Sequence, residues 1–398
     1  MHASLPPPKA HGAPRPAPHA GAPRARVPPR GARDLRICPK LCRSACPVSN
    51  AEPRETLTPW GKMSLSWMAA HGDVPIDAAH ASPAWACTGC FACRESCEHA
   101  NPVTETLFDT RAALVARGVG PAAAQSTVQR FDRHLTRTHA AARRLAGARA
   151  TDATTRDAVL VGCAYLRRAG PEAADALDAT AALVGGPVAL VDGCCGLPLR
   201  LAGGGDAFLH HARDFARSLE GRDRVVVADA GCALALRRMY PDAGVALAPS
   251  VELLVEIAAR SLSSLSSVDT AGAANELVRW HDPCQLGRGL GVYDAPRAVL
   301  TRILGGAPAE FDQAREAAAC SGAGGLLPAT MPDTARDIAR SRVAAHLEDG
   351  GGRIVTACAS SLAALRRAAR GRAAVDDLST WIARACRLRE RRIASSSR

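Results

Sequence analysis

The stretch CTGCFACRESC, from Cys87 to Cys97, places four cysteines at positions 87, 90, 93 and 97. Gaps of two residues allow a tight loop to turn successive thiolates toward one centre, where each reaches a different iron of a cubane cluster. A structural zinc site is the alternative, but zinc usually takes two well-separated C-x-x-C pairs. The spacing therefore favours a [4Fe–4S] cluster at this stretch.

A second cysteine run, ICPKLCRSACPVS, lies upstream and carries Cys38, Cys42 and Cys46, the last of them followed by Pro47. In modules with two clusters, the final cysteine of each run ligates the cluster that the other run mainly holds, and proline often follows it. We therefore predict that one cluster has four cysteine ligands: Cys46, Cys87, Cys90 and Cys93.

The partner cluster has only three cysteines, which are Cys38, Cys42 and Cys97. A fourth thiol would be expected about three residues before Cys38, where the sequence has Leu35. Three alternatives fit this missing ligand. Either the site is built for a three-iron cluster, or Asp34 or a ligand from outside the protein supplies the fourth bond, or the site holds no cluster. We expect a cluster that is less stable than the one with four cysteine ligands.

The composition is that of a globular cytoplasmic protein with room for two or three domains in 398 residues. The chain has 15 cysteines, no apolar run of 18 residues and no apolar segment typical of a signal peptide. A disulfide scaffold is therefore disfavoured, and we expect reduced thiols that bind metal. Cys386, isolated near the C-terminus, is the expected spare thiol.

The net charge of +12 raises the question of nucleic-acid binding. Much of the excess lies in a Pro/Arg-rich head, residues 1–33, and in a basic tail, residues 386–398. We expect both ends to be disordered and solvated, so nucleic acid is the weaker interpretation. The basic tail also fits a peripheral contact with the inner face of a membrane.

Residues 34–150 form the predicted iron–sulfur domain, whose second half has helical patterns that include roughly residues 121–148. Beyond a polar linker the pattern changes to short β-rich runs, each followed by a helical stretch: DAVLVGC, PVALVDGCCG, RVVVADAGC, and VALAPS before the helix VELLVEIAAR. This alternation predicts an α/β layer with a mostly parallel sheet. The cysteines fall at the carboxyl ends of the strands, where such sheets collect their ligands.

The same order of strands and cysteines then recurs in LVRWHDPC, AAACSGAGG, RIVTAC and AAVDDLSTWIARAC. Cys284 follows Cys163 by 121 positions, and Cys320 follows Cys194 by 126. A Ser-rich stretch, SLSSLSSVDTAGAAN, separates the two halves as a linker. We therefore predict two copies of one unit, residues 157–260 and 276–385, that face each other about a pseudo-twofold axis.

The doubled unit resembles the cysteine-rich CCG domain of the heterodisulfide reductase family, which includes iron–sulfur subunits of glycolate and lactate oxidases. The family pattern is Cys, then Cys-Cys-Gly, then C-x-x-C. The first copy supplies Cys163, Cys194-Cys195-Gly196, and then Asp229 with Cys232. The second supplies Cys284, Cys320 with Ser321, and Cys358 with Ser361. The implied fold is a helical two-cluster ferredoxin-like head followed by two pseudo-twofold-related α/β CCG repeats.

The resemblance also implies metal in the repeats, because five thiols per unit can hold a noncubane four-iron cluster in this family. The first copy keeps four thiols, and Asp229 stands in the fifth position. It is therefore expected to hold a noncubane cluster or zinc through Cys163, Cys194, Cys195, Cys232 and Asp229. The second copy keeps only Cys284, Cys320 and Cys358, because serine is a poor ligand for soft metal chemistry. It either binds no metal, ligates through these three, or shares ligands with its neighbour.

The implied function is electron transfer within a multi-subunit oxidoreductase. Electrons would enter from an FAD-linked flavoprotein dehydrogenase and leave to a quinone or a disulfide-type acceptor. A second hypothesis is a catalytic disulfide reductase that acts at Cys194 and Cys195, and a third is a zinc-bearing scaffold or nucleic-acid-binding protein. His281 and Asp282 beside Cys284 fit either a proton relay or a structural pair.

Overall fold

The computed structural model describes residues 38–268 and 277–396, with side chains described as far as residue 389. The predicted disordered arm, residues 1–33, and the positions of Asp34 and Leu35 lie outside the described residues. Within the described part of the chain, no helix is both long enough and apolar enough to cross a membrane.

The head, residues 38–147, is helical. The helix Pro59–His71 begins at a polar cap and a proline: Thr58 accepts a hydrogen bond from the Gly61 amide at 3.0 Å, and Pro59 takes the first helical position. The predicted helix over residues 121–148 is two helices that meet at Arg130. The helices of the head are α1 Cys42–Ala45, α2 Pro47–Ala51, α3 Pro59–His71, α4 Ala78–Ala81, α5 Ala92–Glu95, α6 Val103–Val115, α7 Ala122–Gln129 and α8 Phe131–Gly147.

The first repeat is a parallel four-stranded sheet with helices between its strands. The strand order is β2-β1-β3-β4, and every neighbouring pair is parallel. Its elements are β1 Asp157–Leu160, α9 Cys163–Arg168, α10 Gly170–Val184, β2 Ala189–Leu190, α11 Leu197–Ala202, α12 Gly205–Ser218, β3 Arg224–Val227, α13 Ala230–Leu234, α14 Tyr240–Asp242, β4 Ser250–Leu253 and α15 Leu254–Arg260.

The last strand of this repeat differs from the sequence-based expectation. The stretch VELLVEIAAR was expected to be helical from Val251, but Ser250–Leu253 forms β4, and the helix begins at Leu254. Val251 pairs with Val225 of β3 in the parallel register. Pairing with a buried neighbouring strand therefore outweighs the helical pattern of these apolar residues.

The second repeat has the parallel strand order β5-β6-β7. An isolated parallel bridge from Arg279 to Ala309 adds to the edge of β5, in the position that β2 takes beside β1. Its elements are β5 Val278–Trp280, α16 Gly287–Leu290, α17 Asp294–Leu304, α18 Leu327–Thr330, α19 Pro332–Glu348, β6 Arg353–Thr356, α20 Ala359–Ala369, β7 Ala374–Asp377 and α21 Leu378–Ser396.

The two repeats share one apolar core. Val159 and Val226 from the first sheet and Val355 from the second are all fully buried in the same cluster. Part of the Ser-rich stretch packs there too, because Leu265 is buried and the Ser266 amide donates to the Ala385 carbonyl at 3.2 Å. This stretch is therefore not a free linker over its first half.

The beginning of the predicted basic tail is also part of this structure. Cys386 is buried in the shared core on α21, and Arg387 pairs with Asp175 of the first repeat at 3.3 Å. The expectation of a solvated tail from residue 386 is therefore wrong for these positions. Residue 386 instead belongs to a helix whose apolar face covers α10.

Arg111 on α6 joins the head to both repeats. Its guanidinium is fully buried and donates to the carbonyls of Ala84 at 2.9 Å and Cys87 at 3.1 Å in the head. It also donates to Leu201 of the first repeat at 2.8 Å and to Gly325 of the second at 2.9 Å. The Arg111 side chain thus donates hydrogen bonds to backbone carbonyls of the head, the first repeat and the second repeat.

We expect Arg111→Lys to lower the free energy of unfolding by about 3 kcal/mol or more, because lysine cannot reach all four carbonyls and each orphaned group costs about 1–3 kcal/mol. Urea denaturation followed by circular dichroism measures this change. The exposed Arg117→Lys is the matched control. Equal midpoints for the two variants would contradict the role of Arg111.

A second polar contact joins the repeats and predicts a pH dependence. Asp377 is buried after β7 and accepts hydrogen bonds from Tyr165 of α9 and from the Ser379 hydroxyl. Burial raises the pKa of Asp377 to about 6, against the opposing effect of these hydrogen bonds. The folded state therefore holds this proton more tightly than the unfolded chain does, and the resulting stability is lost as pH rises from about 4 through about 6.

Asp377→Asn should remove this loss. The variant should lose less free energy of unfolding between pH 4 and pH 7 than the parent, by up to about 3 kcal/mol for a shift of about two pKa units. Denaturation at a series of pH values measures the slope. Asp294→Asn, at a position whose side chain is 86% exposed, should keep the parent's slope; an unchanged slope in Asp377→Asn would refute the assignment.

Candidate metal centres

The four thiols predicted to bind one cluster meet in the interior of the head. Cys46 lies between α1 and α2, and the other three lie on the loop and short helix at the start of CTGCFACRESC. Cys93 is close enough to Cys87, Cys90 and Cys46 for their charges to interact. The Gly89 amide donates to the Cys87 sulfur at 3.3 Å, a contact typical of cluster loops. All four cysteines are buried.

The spacing of these thiols separates a cluster from a single ion. Sulfurs around one tetrahedral zinc lie about 3.8 Å apart, because each zinc–sulfur bond is about 2.3 Å long. Among the described residues, the one group of three or more potential ligands whose atoms all lie within 4.8 Å is His134, Cys163 and Cys194. The head thiols therefore gather at a spacing that is wider than a single ion requires and suits a multi-iron group.

Two buried cations face this set. Lys62, only 2% exposed, places its Nζ 3.6 Å from the Cys46 sulfur. Burial raises the pKa of Cys87, and Lys62 and Arg111 oppose this rise. Burial thus favours the protonated Cys87 thiol, while the fixed cations favour the thiolate state that metal ligation needs. The sequence pattern did not identify Lys62, since a lysine on a helix is usually exposed.

The three thiols of the incomplete set also meet, but nearer the surface. Cys42 interacts with Cys38 and Cys97, and burial followed by these neighbouring thiols raises the pKa of Cys42 to about 11. All three are partly exposed. The Asn101 amide donates to the Cys97 sulfur at 3.6 Å. Cys42 also feels the charge of Cys46, so the two sets are neighbours.

The first repeat brings its four cysteines together as two contacts. Cys163 begins α9 after β1, and its sulfur lies 3.4 Å from that of Cys194 after β2. Cys195 lies 3.4 Å from Cys232, which follows β3 on α13. All four are buried at the carboxyl ends of parallel strands.

His134 of α8 reaches this group from the head, and the sequence pattern did not identify it. Arg167 can only donate to the His134 Nδ1, at 2.5 Å, so the neutral ring carries its proton on Nε2. Hydrogen bonds from Cys194 and, to a smaller extent, from His134 lower the pKa of Cys163 to about 6. The Nε2 atom has no hydrogen-bond partner among the described residues, although a ligand atom of His134 lies within 4.8 Å of the sulfurs of Cys163 and Cys194. While Arg167 holds this tautomer, the protonated Nε2 offers no lone pair to a metal.

The second repeat has cysteines in the place of one sulfur–sulfur contact of the first repeat and serines in the place of the other. Cys320 and Cys284 lie in the same apolar cluster, and the neighbouring Cys284 thiol is the main cause that raises the pKa of Cys320 to about 12. The hydroxyls of Ser321 and Ser361 lie 2.8 Å apart, in place of the contact between the second pair of thiols. These hydroxyls satisfy each other, so the replacement leaves no buried polar group that requires a metal.

The comparisons with known proteins agree with this doubled arrangement. A model of the cysteine-rich domain named CCG matches residues 158–237 and again residues 278–366. These two matches support the resemblance of the doubled unit to the CCG domain of the heterodisulfide reductase family.

Individual relatives are components of reductases. One subunit of the dihydromethanophenazine:CoB–CoM heterodisulfide reductase of Methanosarcina barkeri is 34% identical over 176 residues, 42% of this chain and 42% of that relative. One subunit of the fumarate reductase (CoM/CoB) of Methanothermobacter marburgensis is 26% identical over 311 residues, 76% of this chain and 61% of that relative. A probable iron-sulfur-binding oxidoreductase of Bacillus subtilis is 33% identical over 107 residues, 27% of this chain and 15% of that protein. The chain thus spans less than half the length of the heterodisulfide reductase subunits that it matches.

In the first CCG domain, Asp229, which stands in the position of the fifth cysteine, has a structural role. One oxygen of Asp229 accepts hydrogen bonds from the amides of Gly231 at 3.1 Å and Cys232 at 3.2 Å, which caps α13. The other accepts from the Ala359 amide of the second CCG domain at 3.2 Å. Both carboxylate oxygens of Asp229 therefore accept hydrogen bonds from backbone amides. These hydrogen bonds compete with the predicted metal ligation by Asp229.

The predicted catalytic role of Cys194 and Cys195 meets a physical obstacle. Cys194 is completely buried and Cys195 is 1% exposed. A substrate disulfide cannot reach either sulfur in the conformation described. These thiols are therefore not placed for direct attack on a substrate.

The predicted pair His281 and Asp282 is structural in this fold. Burial lowers the pKa of His281 to about 3, so the ring is neutral throughout the physiological range. Asp282 accepts two hydrogen bonds from Arg297, each of 2.9 Å, and one from the Trp280 indole at 2.9 Å. The lowered pKa values of both groups argue against the relay, and the Nδ1 atom of His281 has no hydrogen-bond partner among the described residues.

The GAGG stretch of the second CCG domain packs against the cluster loop of the head. A Cβ atom added to Gly325 would lie 1.9 Å from the Cys87 carbonyl oxygen, and one added to Gly324 would lie 2.2 Å from that of Thr88. Gly325 also has a positive φ of 62°. The glycines therefore allow the two backbones to touch, which fits the tight approach expected from sequence rather than a phosphate cradle.

Gly325→Ala should displace the loop that carries Cys87. We expect a loss of about 1–3 kcal/mol in the free energy of unfolding and an altered low-temperature EPR spectrum of the reduced protein, because a ligand loop has moved. Gly306→Ala, where an added Cβ meets no atom within 4 Å, is the control. A Gly325→Ala protein with the parent's stability and spectrum would contradict this packing.

Proposed function

We propose that the chain is an iron–sulfur electron-transfer subunit of a multi-subunit reductase. The observation that carries this proposal is the gathering of the four buried head thiols around a shared centre, beside a second set of three. Its relatives include subunits of heterodisulfide and fumarate reductases, which supports a role in electron transfer.

The buried set would hold a [4Fe–4S] cluster, which supplies one-electron redox chemistry. Amide hydrogen bonds to sulfur and the Lys62 ammonium would raise its reduction potential, because each stabilises added negative charge. The exposed set would hold a second and more labile cluster, with a fourth ligand from outside the three cysteines. These assignments use the following ligands: Cys46, Cys87, Cys90 and Cys93, and then Cys38, Cys42 and Cys97.

The difference in exposure gives the two sets different places in the electron path. The set with Cys42 is partly exposed and suits an encounter with a donor protein, whereas the set with Cys93 is buried against the CCG domains. Electrons would therefore enter at the exposed set and move inward. We propose an FAD-linked dehydrogenase as the donor and a quinone or a disulfide as the acceptor. The chain would work in the cytoplasm, with a peripheral contact at the inner face of the membrane.

The first CCG domain supports a second role, as a metal site in the interior. Its sulfur contacts of 3.4 Å are close enough for one ion or a small cluster, and a ligand atom of His134 lies within 4.8 Å of the sulfurs of Cys163 and Cys194. A zinc-bearing scaffold without electron transfer is the competing function. It would require zinc alone in the purified protein.

Anaerobic purification followed by iron and sulfide analysis and low-temperature EPR tests the proposed function. Cys46→Ser should lose about four irons and the main EPR signal, because it removes one ligand of a four-thiol set. Cys97→Ser should lose only the weaker signal. Cys386→Ser, which changes a thiol in the apolar core, should keep both.

Two results would overturn the proposal. A colourless protein that contains zinc and no sulfide would support the scaffold. Full iron and an unchanged spectrum in Cys46→Ser would show that the assigned thiols do not hold the cluster.

A further inference from the structure

Arg342 on α19 is a buried cation that the fold does not neutralise. The residue is 4% exposed, and it forms no ion pair with any described residue. Its Nη2 atom donates to the Gln313 carbonyl at a long 3.4 Å, and its Nε atom has no hydrogen-bond partner among the described residues. Because charged side chains are almost never buried without a partner, Arg342 stands apart from the rest of the interior.

The other buried arginines of the described chain show what a structural guanidinium looks like in this fold. Arg111 donates to four carbonyls, and Arg279 pairs with Asp349 at 2.8 Å. Arg288 donates to three carbonyls at 2.6, 2.9 and 2.8 Å. Each of these three side chains holds distant segments together. Arg342 has one long hydrogen bond and therefore has no comparable structural role.

The orientation of the Arg342 guanidinium suits a planar anion. Its Cζ atom lies 3.5 Å from the centre of the Phe311 ring, so the aromatic ring covers one face of the guanidinium plane. Stacking of this kind leaves the N–H groups at the edge of the plane free to donate. A carboxylate accepts hydrogen bonds from such an edge in the same plane. Burial lowers the pKa of Arg342 to about 10, so the group remains charged at neutral pH.

Arg342 lies in the wall of a cleft that separates the head from the second CCG domain. The cleft has a volume of about 570 Å³ and runs between α1 and α2 on one side and α19 on the other. This volume is within the range of sites for small molecules. The side chains of Ala92 and Ile338 give the wall an apolar part, and those of Ser44 and Ser96 give it hydroxyl groups. The cleft thus offers one buried cation within a small, mostly uncharged surface.

Two acidic side chains restrict which anions this cleft accepts. Glu316 and Asp337 also line it, and both residues are exposed. Asp337 is paired with Arg340 at 3.1 Å, whereas the buried Arg342 faces no such partner. The two carboxylates repel an anion with several charges, such as phosphate, while a single carboxylate can pair with Arg342. Charge and shape therefore favour a monoanion with an apolar body.

We propose that this cleft binds a short organic monocarboxylate, whose carboxylate pairs with Arg342 and whose apolar body packs between the head and the second CCG domain. The site uses none of the thiols assigned to the head clusters, so it goes beyond the proposed electron-transfer role. Because α1 and α2 flank Cys46, the bound acid would lie beside the thiols of the head.

The test uses isothermal titration calorimetry on the full chain, purified anaerobically, with hexanoate as the probe. Hexanamide has the same body without the charge, and inorganic phosphate is the multiply charged comparison. Arg342→Met removes the cation, and Arg340→Met removes an exposed arginine of the same helix. Ala345→Trp fills the cleft from an exposed position in its wall, and Ala344→Trp makes the same change at the exposed neighbour.

Hexanoate should bind the parent and both control variants with equal affinity. Its affinity should fall by about tenfold or more in Arg342→Met, and hexanamide should bind the parent more weakly by a similar factor, because charge-assisted hydrogen bonds are lost. Ala345→Trp should abolish binding. Arg342→Met should also unfold at the parent's urea midpoint or above it, since the change removes a poorly paired buried charge.

Four results would overturn the proposal. Equal affinity of hexanoate for the parent and for Arg342→Met would show that the guanidinium does not hold the carboxylate. Unchanged affinity in Ala345→Trp would place the ligand outside the cleft. Tighter binding of phosphate than of hexanoate would contradict the choice of a monoanion. An Arg342→Met protein that does not fold, or that unfolds at a lower urea midpoint than Arg340→Met, would assign Arg342 a structural role instead.

Discussion

The buried guanidinium of Arg111 is the interaction on which the arrangement of the metal centres depends. It holds the carbonyl of Cys87 while it also holds carbonyls from each CCG domain. Burial lowers the pKa of Arg111 to about 10, which still leaves it charged at neutral pH. The position of the cluster loop is therefore set by both repeats, and the head is not an independent electron carrier attached by a linker. The glycine contacts of Gly324 and Gly325 with the same loop add to this constraint.

The two CCG domains keep the same contacts but have diverged in chemistry. In the first, thiols fill both contacts, and all four are buried. In the second, Ser321 and Ser361 take over one contact, and Cys284 and Cys320 lie in one apolar cluster with Cys90. The head contributes a residue to each, with His134 beside Cys163 and Cys90 beside Cys320. The predicted pseudo-twofold relation is consistent with these matched contacts and stays a prediction.

The sequence could predict which thiols meet and where the strands lie, because both follow from local spacing. C-x-x-C gaps determine how a loop turns its sulfurs, and runs such as RVVV indicate a buried strand. The sequence could not identify Lys62, Arg111 or His134. A single lysine, arginine or histidine forms no recognisable motif, and its burial depends on segments that are distant in the sequence. Arg111 shows this directly, because one of its partners, Gly325, lies 214 positions away. The helical pattern of VELL was misleading for the same reason, as a neighbouring strand determined its structure.

The central claim is that iron lies among Cys46, Cys87, Cys90 and Cys93, against the second CCG domain. Anomalous scattering at the iron absorption edge, from crystals of anaerobically purified protein, locates iron without reference to activity. The account predicts strong iron density in the space enclosed by these four sulfurs, with each sulfur bonded to a different iron of the cluster. Anomalous density that appears only at the zinc edge, or iron confined to the first CCG domain, would contradict it.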